Sequence, residues 1–255
     1  MKTYNFYSVI IGTELLNARR EDKHFSFINR ALRERGLKHE GNFVINDNPP
    51  LMERIFKMIA LDPNSVMFCF GGIGSTPDDY TREVAAKAFT SGVLETNTTA
   101  LKLILDEFGD EAYPHRIKMA DIPKGAKLLE NVVNRVPGFY IDERFFFTPG
   151  FPSMAHPMVI WALDNLFDKK MDKYTCGFKA DCSENDLIDI MHALPKDIEL
   201  SSLPKIENNK KTVDIYLASY NKDKLMQWCN FFKNEMDKIE KKYFNEYHTY
   251  PIYYT

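Results

Sequence analysis

The 255-residue chain is long enough for one large domain and a small one, and 44% hydrophobic with 27% charged residues is an ordinary globular mix. A formal net charge of -3 gives no electrostatic pull toward nucleic acid or an anionic membrane, so neither is an expected partner. No apolar run nears the roughly 20 residues that span a bilayer.

Alternating strand and helix signals over the first two-thirds predict an α/β domain with a mostly parallel sheet. Tyr7-Ser8-Val9-Ile10-Ile11 reads as a first strand ending at Gly12. Asp22 is placed to cap a helix with Phe25, Ile28 and Leu32 on its apolar side, and Gly36 to end it. Asn42 to Ile45 is a short strand, and Asn46 to Pro50 a turn into a helix bearing Leu51, Ile55, Met58 and Ile59. Ser65 to Phe70 is a buried strand in which Cys69 is a small core residue. A glycine-rich turn and a helix over 82–89 follow. A further helix spans 99–108 with Leu101, Ile104, Leu105 and Phe108 inward. Three β runs come next, at 127–129, 139–141 and 144–148, with Phe145-Phe146-Phe147 as buried strand. Pro149-Gly150-Phe151-Pro152 then leads into a helix from Ser153 to about Leu166.

Asp168 to Lys173 is the expected linker. Beyond it, 174–245 reads as a small α+β module. It has a strand over 174–179, a helix capped by Ser183 with Leu187, Ile188 and Met191, strands over 199–203 and 212–217, and a long helix from Lys222 to Tyr243. Lys205, Lys210 and Lys211 fall in a hairpin-like loop. The aromatic tail from Tyr247 to Tyr254 either packs back as an extended segment or meets a partner chain. Cys176 and Cys182 could approach each other, but no further metal ligands accompany them. The N-terminus lacks the apolar core and cleavage site of a signal peptide, so the expected setting is a reduced cytoplasm.

Chemistry is expected first at Phe70-Gly71-Gly72-Ile73-Gly74-Ser75-Thr76-Pro77-Asp78-Asp79-Tyr80-Thr81. Glycines let backbone N–H groups approach an anion, and the following helix start adds partial positive charge. Asp78 and Asp79 would repel a bare phosphate, which points to a divalent cation or to ligand hydroxyl and amino groups. One of the two aspartates is expected to cap the helix, leaving the other for a metal or a ligand. The segment is neither a Walker A loop nor a Rossmann fingerprint. Gly12, Thr13 and Glu14 form a second candidate after the first strand, where Thr13 either caps or contacts a ligand. Asp47 reads either as an Asx-turn or helix cap, or as a site residue. Pro149 and Gly150 belong to a second strand-to-helix junction that could face the first across the C-terminal edge of the sheet. The six histidines are scattered, so any metal would be held by oxygens of Asp78, Asp79 and Glu14 or Asp47, favouring Mg²⁺ or Mn²⁺. His24 and His156 lie near the same edge, as ligand contacts or as ordinary, partly exposed histidines.

Five motifs occur here in order. They are Ile11-Gly12-Thr13-Glu14-Leu15-Leu16, then Asp47, then the glycine loop with its Thr-Pro-Asp-Asp-x-Thr ending, then Arg116 to Ala126. The last comprises Val136-Pro137-Gly138-Phe139 and Pro149-Gly150-Phe151-Pro152-Ser153-Met154. In this series residues 5–168 resemble the N-terminal domain of the CinA (competence/damage-inducible) family, a variant of the MoaB/Mog molybdopterin-binding fold. The resemblance implies a three-layer α/β domain over 1–168 that often forms dimers or higher homo-oligomers, followed by a KH-type module over 174–245. It further implies a hydrolase of ADP-ribose or a related nucleotide pyrophosphate, with Mg, Mn or Co and sometimes potassium. The alternatives are a molybdopterin-binding protein of molybdenum cofactor biosynthesis and a non-catalytic nucleotide-binding module. By position, Asp47 and Asp79 correspond to two acidic catalytic positions. Gly71, Gly72, Gly74 and Thr76 correspond to the phosphate loop, with Ser75 and Thr81 beside them. Ser75, Ala18 and His24 depart from the Pro, Gly and Asn usual in the family. The module shows no Gly-x-x-Gly loop, so RNA binding does not carry over. Neither does the nicotinamide mononucleotide deamidase activity of longer members.

Overall fold

The apolar run after Asn5 forms β1 (Asn5–Ile11), which gives way at Gly12 to a one-turn helix, α1 (Thr13–Leu16). Helix α2 (His24–Arg33) is held at its start by Asp22, whose carboxylate accepts from the N–H groups of His24 and Phe25. Strand β2 (Lys38–Ile45) and α3 (Pro49–Ala60) come next. Asn48 caps α3 by accepting from the Leu51 N–H, and Pro49 and Pro50 occupy the first turn, where no N–H is missed. Strand β3 (Ser65–Phe70) and α4 (Thr81–Phe89) flank the glycine loop. A side lobe follows: β4 (Leu94–Thr96), α5 (Thr98–Phe108), two 3-10 turns (Gly109–Ala112 and Arg116–Ala120) and β5 (Asp121–Pro123), which pairs antiparallel with β4. The chain then lays down β6 (Lys127–Leu129), β7 (Gly138–Ile141), β8 (Phe145–Thr148) and α6 (Pro152–Leu166).

The computed structural model describes residues 4–167, 173–207 and 210–249. The chain divides into two compact units, Met1–Lys169 and Lys170–Thr255. All but Lys173 of the expected linker lies outside the described residues.

In the first unit the main sheet runs β2-β1-β3-β8-β7-β6. The first four strands are parallel, and β7 and β6 are antiparallel, giving the mostly parallel sheet expected. Side chains alternate across it. Phe6, Ile10, Phe68 and Phe146 pack on one face with Ile28 and Leu32 of α2 and Val159 of α6. Val9, Met67, Cys69, Phe145 and Phe147 pack on the other with Phe56 of α3 and Val84 of α4. These are the three layers expected of the α/β domain. Two predicted core residues face out, Phe25 at 43% and Met58 at 47% exposure. The buried stripe of α2 is His24, Ile28, Ala31 and Leu32, so Ile28 and Leu32 lie inward as expected and His24 replaces Phe25; that of α3 is Met52, Phe56 and Ile59, of which Ile59 was expected.

The second unit contains β9 (Tyr174–Ala180), a 3-10 turn (Glu184–Leu187), α7 (Ile188–His192), β10 (Glu199–Glu207), β11 (Lys210–Ser219), α8 (Lys222–Lys238) and β12 (Tyr243–Thr249). Its antiparallel sheet runs β10-β11-β9-β12. Phe178, Ile215 and Leu217 of the sheet share a core with Leu225, Phe232 and Met236 of α8. Ser183 and Asp186 form the capping box of the 3-10 turn, as the sequence suggested for Ser183, but Ile188 is exposed. The expected helix to Tyr243 stops at Lys238, and 243–249 instead pair with β9; the tail from Tyr250 lies outside the described residues. Lys205 and Lys210 sit in strands, paired with Asp214 and Asp181. The all-reduced cysteine set is also corrected. Cys176 of β9 is disulfide-bonded to Cys229 of α8, while Cys69 and Cys182 are free and buried. Sheet-on-helix packing brings together residues 53 apart in sequence, a pairing that no local spacing signals. Among the described residues no helix is long and apolar enough to cross a membrane.

Candidate functional site

Two glycine turns meet where β3 and β8 end. The Gly71 N–H donates to the Thr148 carbonyl at 2.9 Å, and a Cβ placed on Gly150 would lie 3.5 Å from the Gly71 Cα. Gly71 and Gly72 have φ of +98° and +71°. A side chain on Gly71 would collide with the Ile11 carbonyl, and one on Gly72 with the Thr81 hydroxyl. Only glycine fits both places.

Helix α4 anchors this loop from behind. The Thr81 N–H donates to the Gly72 carbonyl at 2.9 Å and its hydroxyl to the Gly71 carbonyl at 3.0 Å. The buried Arg82 guanidinium donates through Nη1 to the carbonyls of Ile73 and Gly74. Desolvation lowers the pKa of Arg82, as expected of a cation in a dry pocket. Asp79 Oδ2 accepts from the Thr76 N–H at 2.8 Å and from the Thr76 hydroxyl. The loop carbonyls are thus bound on one side. By contrast, the N–H groups of Gly72, Ile73, Gly74 and Ser75 have no acceptor among the described residues.

Those four residues, with Thr76 and Asp79, line a cleft of about 420 Å³. Pro149, Gly150, Phe151 and Met154 form the facing wall. The lining is completed by Phe108, Arg116 and Met119 of the side lobe and by Asn131, Asn134 and Val136. Arg116 lies 4.4 Å over the Phe108 ring and pairs with Glu111 at 2.8 Å. Buried Asn131 donates to Asn134 Oδ1 at 2.6 Å and to the Val136 carbonyl at 3.0 Å, which fixes the Asn134 amide. Sequence reasoning did not single out Arg82, Arg116, Asn131 or Asn134 as site residues. The only local signal was the pair of amides one turn apart in Asn131-Val132-Val133-Asn134.

Gly12, Thr13, Glu14 and Asp47 lie on the same sheet edge, at the ends of β1 and β2, but not in the walls of this cleft. Asp47 Oδ2 accepts from the Thr13 N–H at 2.9 Å and the Thr13 hydroxyl at 2.8 Å, so Asp47 ties two strand ends together while Asn48 does the capping. Glu14 folds over Gly12 and pairs with Arg20 at 3.8 Å, an exposed pair of little energetic weight. Three expectations need correcting. Thr81 is fully buried with its hydroxyl donating to the Gly71 carbonyl, so it stands behind the loop and not on the cleft wall. Neither aspartate caps α4, because Tyr80 holds that position and Asp79 turns back to Thr76. His24 is not partly exposed and does not line the cleft; it is buried behind Gly150, whose carbonyl it binds.

Among the described residues no three of His, Cys, Asp and Glu gather where they could hold a metal ion, and Asp78, Asp79 and Glu14 form no such cluster. Oδ1 of Asp79 and Oδ1 of Asp47 have no donor among the described residues. A magnesium-like ion needs only one or two carboxylates when its ligand supplies phosphate oxygens. The donor set fits an ion that arrives with a phosphorylated ligand better than a resident one.

The family model described as "Probable molybdopterin binding domain" matches residues 8–168. The chain belongs to that family. A CinA-like protein of Sulfurihydrogenibium sp. is 31% identical over 205 residues, covering 77% of this chain and 51% of that protein. A CinA-like protein of Nostoc punctiforme is 32% identical over 157 residues, covering 59% and 37%. The chain therefore spans about half or less of the length of these curated relatives. The crystal structure of CinA from Thermoplasma acidophilum, a protein described as of unknown function, aligns with a TM-score of 0.57 and 28% identity. It covers 64% of this chain and 98% of its own. The first unit is thus a CinA-family, MoaB/Mog-like domain, and the cleft at Gly72 to Asp79 lies within its matched span.

Proposed function

We propose that the cleft binds the diphosphate of a nucleotide of the ADP-ribose class and hydrolyses it with a divalent ion. The observation that carries this reading is the row of four unpartnered backbone N–H groups, Gly72 to Ser75, along one wall. Such a row is an anion cradle: its dipoles are fixed before the ligand arrives and would oppose charge building on an attacked phosphate. Thr81 and Arg82 keep the cradle open by occupying the carbonyls behind it. The apolar surfaces of Phe108, Met119 and Phe151 with the Asn134 amide suit a flat heteroaromatic ring in the same cleft. Asp79, next to Asp78 in the chain, would hold the ion through the oxygen not used by Thr76. When bound, such an ion supplies positive charge to the diphosphate and a more acidic water.

The test is turnover of ADP-ribose by purified protein with Mg²⁺, Mn²⁺ or Co²⁺, read as AMP released. The expected result is metal-dependent turnover that falls at least about a hundredfold in Asp79→Ala. Turnover no greater than that of Asp79→Ala overturns the hydrolase. Saturable nucleotide binding without turnover would select a non-catalytic module. The family description favours one rival, a pterin ligand in the same cleft. Co-purified pterin, seen by fluorescence after oxidation, would select it.

A further inference from the structure

The cleft wall at Pro149 to Phe151 belongs to no strand, and Phe151 joins it to α6, its carbonyl accepting from the N–H groups of Met154 at 3.0 Å and Ala155 at 2.9 Å. Its second anchor is the Gly150 carbonyl, which faces His24 Nε2 at 3.2 Å and accepts from Arg20 Nη2 at 3.4 Å. Arg20 is solvent-exposed, whereas His24 is only 5% exposed, its ring stacked on Phe70 at 4.3 Å and edge-on to His156 at 5.3 Å. An imidazole that donates from Nε2 when neutral has a bare Nδ1. In His24 that Nδ1 is buried without a partner.

We propose that His24 is the positioning residue of this wall: neutral, it fixes Gly150 against Gly71, and its protonation releases the wall. What the wall grips rests on the nucleotide reading above; the wall's dependence on His24 does not. The groups around the ring set the sign. The Gly150 carbonyl, by accepting from the ring, and then Asp22 favour a charged imidazole, though the Asp22 carboxylate is already committed to the N–H groups of His24 and Phe25. Arg20 opposes the charge, and Glu14, Glu21 and Lys23 bound the small void beside the ring. On the α6 side stands His156, stacked on Phe27 at 3.6 Å, its own Nε2 buried without a partner. A proton on His24 Nδ1 would meet no acceptor, so the ring must turn or water must enter. Burial accordingly lowers the pKa of both imidazoles.

The test uses ligand-free ¹H–¹⁵N spectra of the full chain as wild type, His24→Phe and His24→Gln, acidified from about pH 7.5 to about 4.5 across the ordinary histidine range. In wild type the Gly71, Gly150 and Phe151 amides should move together, with the midpoint of the His24 ring itself and below 6.5. His24→Phe should displace them already at the higher pH and abolish the response. His24→Gln, which keeps an N–H donor, should leave them in place and also abolish the response. Wall amides unmoved in His24→Phe, or titrating alike in wild type and His24→Gln, overturn the proposal. Should His24→Phe not fold, the comparison of the other two decides. A second arm measures ADP-ribose binding with Mg²⁺ by calorimetry. It should be about tenfold weaker in His24→Phe and within about threefold of wild type in His24→Gln, the worth of one hydrogen bond. If wild type binds no ADP-ribose, the nucleotide reading fails while the spectra still decide the role of His24.

Discussion

Two positions with positive φ carry opposite consequences. Gly72, at φ +71°, has Thr81 packed where a side chain would stand. Ala18, at φ +58°, bears a side chain in the region that disfavours it. Gly72→Ala should therefore cost about 2–4 kcal/mol, the left-handed penalty plus displacement of Thr81. Ala18→Gly should gain about 0.5–1 kcal/mol, the relief exceeding the added chain entropy. Urea unfolding of the two variants checks both signs, and a destabilised Ala18→Gly would contradict the account. The glycines of the loop were legible because composition alone marks them. Thr81 was marked as a ligand contact and not as the brace of the loop, and Arg82 was not marked at all, since a threonine and an arginine opening a helix look like solvated residues until the loop carbonyls they bind are known. Cys176 offered no sign of Cys229 for the same reason.

Helices α2 and α6 meet through His24 and His156, and this contact makes the stability of the first unit pH-dependent. Both rings have lowered pKa values, that of His156 about 4, against an ordinary value near 6.5. As pH falls below 6.5 the unfolded chain binds protons that the folded one refuses, so the neutral pair's contribution is complete above about 6.5 and is lost progressively toward about 4. Between pH 7 and 5 the urea midpoint of wild type should fall more than that of His156→Phe; equal falls would contradict the assignment. Elements with strong periodicity were readable from sequence, among them β1, β3 and α5. In α2 only Phe25 was misread, because a polar residue, His24, occupies the core position beside it, and in α3 Met52 and Phe56 are buried where Leu51 and Ile55 were expected. The end of α8 was overrun because 239–243 keep helix-forming residues, while the pairing of β12 with β9 is a long-range matter.

Across the whole chain, the cleft is assembled from segments far apart in sequence: the glycine loop, the end of α5 with the 3-10 turn over Arg116–Ala120, the 131–136 stretch and the segment from Pro149 into the start of α6. The first and last of these were expected to face each other, and they do at Gly71 and Gly150. The middle two complete the lining and carried no strong local signature. Family membership fixes the fold of the first unit but leaves its ligand to experiment, since the chain spans about half or less of the curated relatives quoted above. The claim on which the functional reading stands is that main-chain amides of Gly72 to Ser75 receive a phosphate. Amide NMR during titration with ADP-ribose and Mg²⁺ tests it most directly. The account predicts saturable shifts of those four amides, with Gly150 and Asn134 responding at the same ligand concentration. Four amides that stay in place, whether other residues move or none do, would contradict it.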